Sequence, residues 1–202
     1  MLTTVFIIAA YLLGSISFAV VSSMLFDLPD PRTYGSGNPG ATNVLRSGKK
    51  AAAALTLFGD TAKGWLAVWL SIKFCPADVM YTMLAASVAL AVFVGHLFPI
   101  FLKFKGGKGV ATALGVLLAL DIWVGLGALV TWLFMAVVFR YSSLSALVAS
   151  ISAPIFAFLL NLPQAWVLAC GIMSLLLIWR HKSNIQNLLA GKELKIGSKR
   201  TA

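Results

Sequence analysis

Apolar residues gather in seven runs along this 202-residue chain, and short polar connections separate the runs. A helix that crosses a bilayer needs about 20 apolar residues, and most of the runs reach or approach that length. The predicted helices cover residues 3–26, 53–73, 79–101, 109–120, 122–139, 143–160 and 163–180. The fourth run is about 18 Å long as a helix, too short to cross alone, so we expect its neighbours or its flanks to shelter it.

Basic residues decide between six and seven spans, because cytoplasmic connections of membrane proteins are rich in Lys and Arg. The second, fourth and sixth connections hold almost no cations beyond Lys73. The other connections and the tail contain Arg32, Arg46, Lys49, Lys50, Lys103, Lys105, Lys108, Arg140, Lys182, Lys192, Lys195, Lys199 and Arg200. A single helix over residues 109–139 would leave some of these groups outside, whereas a break near Asp121 places them all on one side.

The predicted fold class is therefore an all-α membrane protein with seven transmembrane helices, a periplasmic N-terminus and a cytoplasmic C-terminus. Residues 1–202 are expected to form one domain, with the glycine-rich loops on the cytoplasmic side. The first run has no Lys or Arg before Arg32 and so lacks the charged start of a signal peptide. We expect it to remain as the first span.

A short helix is predicted after the last span, in the segment HKSNIQNLLA at residues 181–190. Its apolar side chains Ile185, Leu188 and Leu189 share one face, and Gly191 is a good C-terminal cap. This pattern is typical of a helix that lies along the membrane surface.

Composition agrees with a membrane protein. The chain is 60% hydrophobic and carries 16 Lys and Arg against six acids, for a net charge of +10. In a soluble protein this charge would indicate nucleic acid binding, but here positive-inside orientation explains most of it. We expect no nucleic acid and no obligate protein partner. Cys75 and Cys170 have no metal or redox spacing and are interpreted as ordinary small apolar residues.

Glycines and cations occur together in the first connection, YGSGNPGATNVLRSGKK at residues 34–50. The stretch matches GxGxxG, but a dinucleotide-binding fold needs a βαβ unit that a connection between spans cannot hold. Glycines let backbone amides approach an anion, a helix start favours phosphate, and an arginine can bind phosphate through two parallel hydrogen bonds. The candidate binding residues are Gly35, Ser36, Gly37, Asn38, Gly40, Thr42, Asn43 and Arg46. The alternative is a flexible loop whose charges only orient the chain.

The third connection, FLKFKGGKGVATALG, combines the same residue types. It lacks the frame of a P-loop, since its last Gly-Lys is not followed by Ser or Thr. It nevertheless interleaves Gly106, Gly107 and Gly109 with Lys105 and Lys108 at the start of the short fourth helix, which predicts an anion cradle. The alternative is a positive-inside loop with glycine bends.

Other polar residues have two interpretations each. Asp60 and Lys63 are three apart inside the second span, where charges are costly, and they form either a structural ion pair or part of a site. The candidates at helix ends are His96, Arg140, Ser142, Ser143, His181 and Asn184. Each of these is either a capping or hydrogen-bonding group or a site residue. The chain has no HxxxxD motif of thioester-dependent acyltransferases and no acidic cluster for a metal.

Four segments of this chain carry a resemblance to a known family: GSGNPGATNVLR, GHLFPIFLKFKGGKGVATALG, RYSSLSA and HKSNIQNLLAGKELKI. In order and spacing, over nearly the whole chain, they resemble the motifs of the bacterial acyl-phosphate:glycerol-3-phosphate acyltransferases. The resemblance implies seven spans and an active site on the cytoplasmic side of the inner membrane. It implies acyl transfer from acyl phosphate to the 1-hydroxyl of sn-glycerol 3-phosphate, which gives lysophosphatidic acid and phosphate for phospholipid biosynthesis. It implies no cofactor and no metal.

The resemblance also assigns roles where residues match. Ser36, Asn43 and Arg46 are linked with the glycerol phosphate and neighbouring phosphate contacts, and Lys105 with its glycine loop is linked with the acyl phosphate group. The implied catalytic residues are Ser36, Arg46, Lys105, Ser143, His181 and Asn184. The implied substrate-binding residues are Gly35, Gly37, Asn38, Gly40, Thr42, Asn43, Gly106, Gly107, Lys108 and Gly109.

Two positions depart from the family pattern. Ser143 matches the serine of RYSSL, but relatives more often have a small apolar residue where Ser142 stands, so Ser142 is the alternative. Pro39 stands where many relatives have an aliphatic residue, which stiffens the loop without altering the chemistry.

Acyl phosphate is an activated mixed anhydride, so a glycerol hydroxyl can attack its carbonyl without a covalent enzyme intermediate. Catalysis then depends on positioning and on charge stabilisation. The general base is either His181 or the departing phosphate; the resemblance favours the phosphate, with His181 and Asn184 orienting groups. Two other functions stay open, a transporter of a phosphorylated solute and a non-catalytic lipid-binding scaffold. A transporter is disfavoured because the polar groups gather on one face and no internal repeat is evident.

Overall fold

The computed structural model describes residues 2–74 and 79–197, and every regular element in these ranges is helical. The helices are α1 (Leu2–Gly14), α2 (Phe18–Leu25), α3 (Ala41–Leu45), α4 (Lys50–Phe74), α5 (Val79–Leu97), α6 (Val110–Leu120), α7 (Ile122–Phe139), α8 (Ser142–Leu159), α9 (Gln164–Arg180) and α10 (Lys182–Leu189), with a 3-10 turn at Ile100–Leu102. The all-α class is therefore confirmed. Cys75 lies outside the described residues.

Length and composition identify three segments able to cross a membrane: Tyr81–Leu102, α7 and α8. The number rises to five if the bent pairs α1–α2 and α9–α10 each count as one span. Apolar side chains on α7, such as Val137 at 77% exposure and Phe134 at 63%, face outward as they do in a bilayer. These features confirm a multi-pass membrane protein, and the seven-span topology stays a prediction.

The apolar run at residues 3–26, predicted as the first span, contains two helices, α1 and α2. The chain leaves the helix at residues 15–17, and α2 is bent by 44° from α1. A charged pair on α4 bonds the backbone at this break: Nζ of Lys63 donates to the Ile16 carbonyl at 2.6 Å, and the Phe18 amide lies 3.5 Å from an Asp60 oxygen. These side chains take over backbone groups that a continuous helix would bond internally.

The predicted break near Asp121 is confirmed. α6 ends at Leu120, and the Asp121 side chain accepts hydrogen bonds from the amides of Trp123 at 2.9 Å and Val124 at 3.0 Å. An N-terminal cap of this kind stabilises a helix by about 1 kcal/mol. Residues 109–139 are therefore two helices rather than one.

The short helix α6 is sheltered by α4, as expected. Two glycines allow their backbones to touch: a Cβ on Gly64 would collide with the Thr112 carbonyl, and one on Gly115 would collide with the Thr61 carbonyl. Small residues at such crossings are typical of packed membrane helices. On its other side α6 packs against α7, α5 and α9.

The core is built around α5, which packs against α1, α4, α6 and α9. Val88, Val92, Phe93 and Leu97 on α5 have no exposed surface. This buried helix ends beside the glycine loop at residues 105–109. The end of α5 therefore provides a fixed base for the loop.

The tail helix is confirmed as α10, followed by Gly191 with φ of +66°. Ile185 and Leu188 are half-buried, whereas Leu189 is 85% exposed. The predicted apolar face is thus only partly packed on the protein. The Leu189 side chain faces away from the protein, toward the surroundings of α10.

Candidate active site

Asn43 organises the first glycine loop from the inside. Its side chain is 2% exposed, and its Nδ2 donates to the carbonyls of Pro31 at 2.7 Å and Tyr34 at 3.1 Å. Its Oδ1 accepts the backbone amide of Ser36 at 2.8 Å. In this structure the carboxamide therefore shapes the loop from within.

Steric constraints explain why this loop contains glycines. Gly35 and Gly37 have φ of +61° and +68°, the left-handed region that other residues rarely adopt. A Cβ on Gly35 would also collide with Oδ1 of Asn43. Arg46 ends the short helix α3, and its side chain is exposed close to Gly35.

The remaining polar groups of the first loop lie at its surface. Ser36 is exposed, and the Asn38 amide donates to its Oγ at 3.4 Å. Gly40 caps the N-terminus of α3. Thr42 lies opposite the start of α8, with its Oγ1 3.3 Å from Oγ of Ser142.

The second glycine loop is held on both sides by hydrogen bonds. The amides of Gly106 and Gly107 donate to the carbonyls of Leu97 and His96, each at 3.2 Å. Arg180 donates back to the carbonyls of Gly106 at 2.8 Å and Gly107 at 3.1 Å. These two amides therefore do not form the predicted anion cradle in this structure.

The same glycines allow the loop to approach α5 closely. A Cβ on Gly106 would collide with the His96 carbonyl, and one on Gly107 would collide with the His96 ring. Gly109 has φ of +88°, and a Cβ there would collide with the Phe93 ring. The groups that this loop offers to an anion are thus the side chains of its two lysines, exposed Lys105 and half-buried Lys108.

A chain of hydrogen bonds connects three of the predicted residues. Nζ of Lys108 donates to Oδ1 of Asn184 at 2.5 Å, and Nδ2 of Asn184 donates to Oε1 of Glu193 at 2.7 Å. The hydroxyl of Ser143 donates to the same Glu193 oxygen at 2.6 Å. The loop before α6, the start of α8, α10 and the tail therefore meet at one place.

The sequence reasoning missed Glu193 and Arg180. Glu193 is the only glutamate in the chain, two residues after a helix-ending glycine, and that isolation in a basic tail was an available signal. Arg180 was indistinguishable from an ordinary cation at the end of a span. Only the fold shows that it binds the glycine loop.

The two glycine loops lie next to each other. A Cβ on Gly107 would lie 3.1 Å from the Pro39 carbonyl of the first loop. Burial lowers the pKa of Lys108, and the neighbouring charges of Arg180 and Arg46 lower it further, while Glu193 opposes them. Cations from both loops and from α9 therefore act on the same small region.

Both serines of the sixth-span motif face this region. Ser142 contacts Thr42 of the first loop, and Ser143, at 6% exposure, contacts Glu193. The geometry gives each hydroxyl a different partner. Ser143 is the one that belongs to the Lys108–Asn184–Glu193 chain.

His181 is buried at the junction of α9 and α10, with 3% exposure. Its Nδ1 lies 2.8 Å from the Leu177 carbonyl, which can only accept, so Nδ1 carries a proton. In the neutral ring Nε2 is then the acceptor. A general base at this residue would have to use Nε2.

Asp60, Lys63 and His96 form a second cluster beneath the glycine loop. Lys63 and Asp60 pair at 2.8 Å and are each 2% exposed. Nδ1 of His96 lies 3.5 Å from Asp60, a long contact, and its ring lies under Gly107. The contacts of the ion pair go to the break between α1 and α2, which favours the structural interpretation of Asp60 and Lys63.

Comparisons with known proteins identify the relatives of this architecture. A sequence profile for the family described as glycerol-3-phosphate acyltransferase matches residues 4–191. The glycerol-3-phosphate acyltransferase of Cupriavidus taiwanensis is 60% identical over 200 residues and covers 99% of both chains. That of Janthinobacterium sp. (strain Marseille) is 62% identical over 198 residues and covers 98% of both.

The fold is similar to solved structures of one such enzyme. The crystal structure of PlsY (YgiH), an integral membrane glycerol 3-phosphate acyltransferase, in its glycerol 3-phosphate form superposes with a TM-score of 0.92 at 39% identity. The match covers 98% of this chain and 96% of that one. Its lysophosphatidic acid form gives a TM-score of 0.90 at 38% identity, with the same coverage.

Proposed function

This chain belongs to the glycerol-3-phosphate acyltransferase family, and we propose that it transfers an acyl group from acyl phosphate to the 1-hydroxyl of sn-glycerol 3-phosphate. The products are 1-acyl-glycerol 3-phosphate and inorganic phosphate. The observation that carries this proposal is the meeting of two cationic glycine loops with the Lys108–Asn184–Glu193–Ser143 chain.

The reaction brings two phosphates together, and the site offers cations for both. Arg46 and Lys105 are exposed on their loops, and Lys108 is half-buried. Hydrogen bonds to charged groups contribute about 1.5–3 kcal/mol each. We assign the acyl phosphate to Lys105 and Lys108 and the glycerol phosphate to the side of Ser36 and Arg46.

The chemical step needs no covalent enzyme intermediate. The glycerol hydroxyl oxygen bonds to the acyl carbonyl carbon, the bond from that carbon to the phosphate oxygen breaks, and phosphate departs. The hydroxyl proton passes to the departing phosphate or to Nε2 of His181. Ser143 and Asn184, fixed by Glu193, orient the reactants, so the acceleration comes from positioning and charge stabilisation.

Asn43 and the glycines have shaping roles in this proposal. Asn43 sets the path of the first loop, while Gly35, Gly37, Asn38, Gly40 and Thr42 present its polar surface. Gly106, Gly107 and Gly109 let the second loop lie against α5. In the second loop the substrates then contact mainly side chains. In the first loop they contact both side chains and backbone groups.

We further propose seven spans, formed by α1–α2, α4, α5, α6, α7, α8 and α9, with the N-terminus periplasmic and the site facing the cytoplasm of a bacterial inner membrane. The cations near the site support this orientation, because positive charge is retained inside. Single cysteines at Gly48 and Gly191, in a chain with Cys75 and Cys170 replaced by Ala, should react with an impermeant maleimide only in inverted vesicles. Reaction of either from the outside would contradict the topology.

Activity is tested with purified protein in detergent, acyl phosphate and labelled glycerol 3-phosphate. Formation of lysophosphatidic acid without a sealed compartment identifies an enzyme, whereas accumulation of solute only in sealed vesicles would identify a transporter. Lys105→Gln should lower turnover strongly. Lys103→Gln, which removes the same charge two residues away, is the matched control.

A further inference from the structure

A cavity of about 420 Å³ opens at the elbow between α9 and α10, where the chain bends by 60°. Its lining consists of Trp179, Arg180, Lys182, Ser183 and Gln186. These five residues, all in the described part of the chain, include two cations, a hydroxyl, a carboxamide and an indole, and none is acidic. Such a lining favours an anion that carries an apolar body.

The cavity lies where a lipid headgroup would be. Trp179 is 55% exposed at the end of an apolar helix, and exposed tryptophans at span ends sit at the level of the headgroups. On α10, Lys182, Ser183 and Gln186 are exposed, while Ile185 on the other side is half-buried. A helix of this pattern runs along the membrane surface, so the elbow opens toward the interface.

We propose that this elbow binds the phosphate of an anionic membrane lipid. The ammonium of Lys182 and the guanidinium of Arg180 pair with the phosphate, and Ser183 and Gln186 donate hydrogen bonds to its oxygens or to the glycerol. Trp179 packs against the upper acyl chain. This site lies outside the two substrate loops but contacts the second through Arg180, and its expected effect on KM rests on the proposed function.

Arg180 connects the elbow to the active site. Two of its five N–H donors bind the carbonyls of Gly106 and Gly107, and others remain for a ligand at the cavity. A lipid phosphate would hold the guanidinium in place, and the guanidinium would hold the glycine loop that carries Lys105 and Lys108. Anionic lipid should therefore steady the loop and lower the KM for acyl phosphate.

Binding is measured by quenching of Trp179 fluorescence, a readout that does not require activity. The protein is placed in phosphatidylcholine vesicles that contain either brominated phosphatidylglycerol or brominated phosphatidylcholine. The Trp179 signal is the difference between each protein and its Trp179→Phe counterpart. We expect the anionic brominated lipid to quench Trp179 at least twice as strongly as the neutral one at equal content.

Substitutions of Lys182 distinguish a specific lipid site from general attraction between a basic protein and anionic lipid. Lys182→Gln should bring the two quenching values together, and Lys182→Arg should restore the difference. Lys192→Gln removes the same charge from the exposed tail and should leave the difference unchanged. In wild type, the KM for acyl phosphate should fall by a few-fold when phosphatidylglycerol is added, and Lys182→Gln should lose this response.

Three results would overturn the proposal. Equal quenching by the two lipids in wild type would mean ordinary contact with the surrounding bilayer. Equal losses in Lys182→Gln and Lys192→Gln would mean non-specific surface charge. Relief of the quenching by inorganic phosphate would assign the cavity to a soluble anion instead of a lipid.

Discussion

The ammonium of Lys108 lies 2.5 Å from the side-chain oxygen of Asn184, which joins the second glycine loop to α10 across 76 positions of sequence. Asn184 in turn donates to Glu193 at 2.7 Å. A neutral carboxamide therefore stands between the cation and the carboxylate. Glu193 therefore acts on Lys108 through Asn184 and through space, not through a direct hydrogen bond between the two.

Replacing the neutral spacer tests this arrangement. Asn184→Asp places a carboxylate against Lys108 and next to Glu193, which neutralises the cation and adds a repulsive contact. We expect kcat/KM for acyl phosphate to fall by at least tenfold in steady-state assays. Asn187→Asp adds the same charge to the exposed surface of α10 and should change kcat/KM less than twofold. Similar losses in both variants would indicate a general charge effect.

The fold could be predicted where the patterns of charge and apolar residues carry the signal. The break at Asp121 follows from the placement of cations in the connections, and α10 follows from a short amphipathic stretch before a glycine. The break at residues 15–17 follows the pair Gly14-Ser15, a weak local signal, but the group that bonds the break, Lys63, lies 47 positions from Ile16. Long-range polar contacts are therefore what the pattern of apolar residues does not contain.

The candidate site shows the same division. Residue types identified the cationic loops, but the direction of the Gly106 and Gly107 amides depends on where α5 ends. Glu193 joins Ser143 across 50 positions, a contact that only the packing of the tail creates. Asn43 is of a residue type that often binds ligands, but its side chain is buried in the first loop and bonds the backbone that sets the path of this loop.

Glu193 should matter for stability as well as for the site. It accepts from Ser143 and Asn184, and the following segment is tied to α8 because the Ile196 amide donates to the Arg140 carbonyl at 2.6 Å. Hydrogen bonds to a charged group contribute about 1.5–3 kcal/mol each, less at a half-exposed position. Glu193→Ala should therefore lower the Tm in detergent by several degrees, at about 2–4 °C per kcal/mol.

A conservative variant separates charge from shape at this position. Glu193→Gln keeps one acceptor oxygen and should lose roughly half as much Tm as Glu193→Ala. Lys192→Ala, next in sequence and exposed, should leave the Tm within one degree or so. An unchanged Tm in Glu193→Ala would show that the tail does not depend on these hydrogen bonds.

The buried Asp60–Lys63 pair allows a direct test of structural against catalytic roles. Asp60→Asn leaves the Lys63 ammonium buried without its counter-charge, which costs about 3–5 kcal/mol. Asp60→Leu with Lys63→Met removes the unpaired charge but also the bonds to the Ile16 carbonyl and the Phe18 amide, so the double variant should regain only part of the lost Tm. If the pair is structural, acyltransferase activity should return with stability. A stable but inactive double variant would mean that the charges serve the reaction.

Alanine at Gly107 should disturb the site through sterics alone. A Cβ there collides with the His96 ring and lies 3.1 Å from the Pro39 carbonyl, so the ring must shift and the contact between the two loops is tightened. We expect Gly107→Ala to raise KM at least fivefold. Gly171→Ala on α9 meets no atom within 4 Å and should leave KM unchanged while stabilising the helix by about 0.5–1 kcal/mol. Wild-type KM in Gly107→Ala would show that the close approach of the loops is not needed.

The pKa of Lys108 predicts a pH dependence on the alkaline side. Burial, with the charges of Arg180 and Arg46, lowers this pKa below the ordinary range for a lysine. Because this pKa is lowered, the cation is lost at a lower pH than in ordinary lysines as the pH rises. The KM for acyl phosphate, taken from initial rates, should therefore rise with pH on the alkaline side. Lys108→Arg keeps its charge and should move this alkaline rise in KM to higher pH. Lys103→Arg, in the same connection, should leave the rise in place. An unchanged rise in Lys108→Arg would assign the titration to another group.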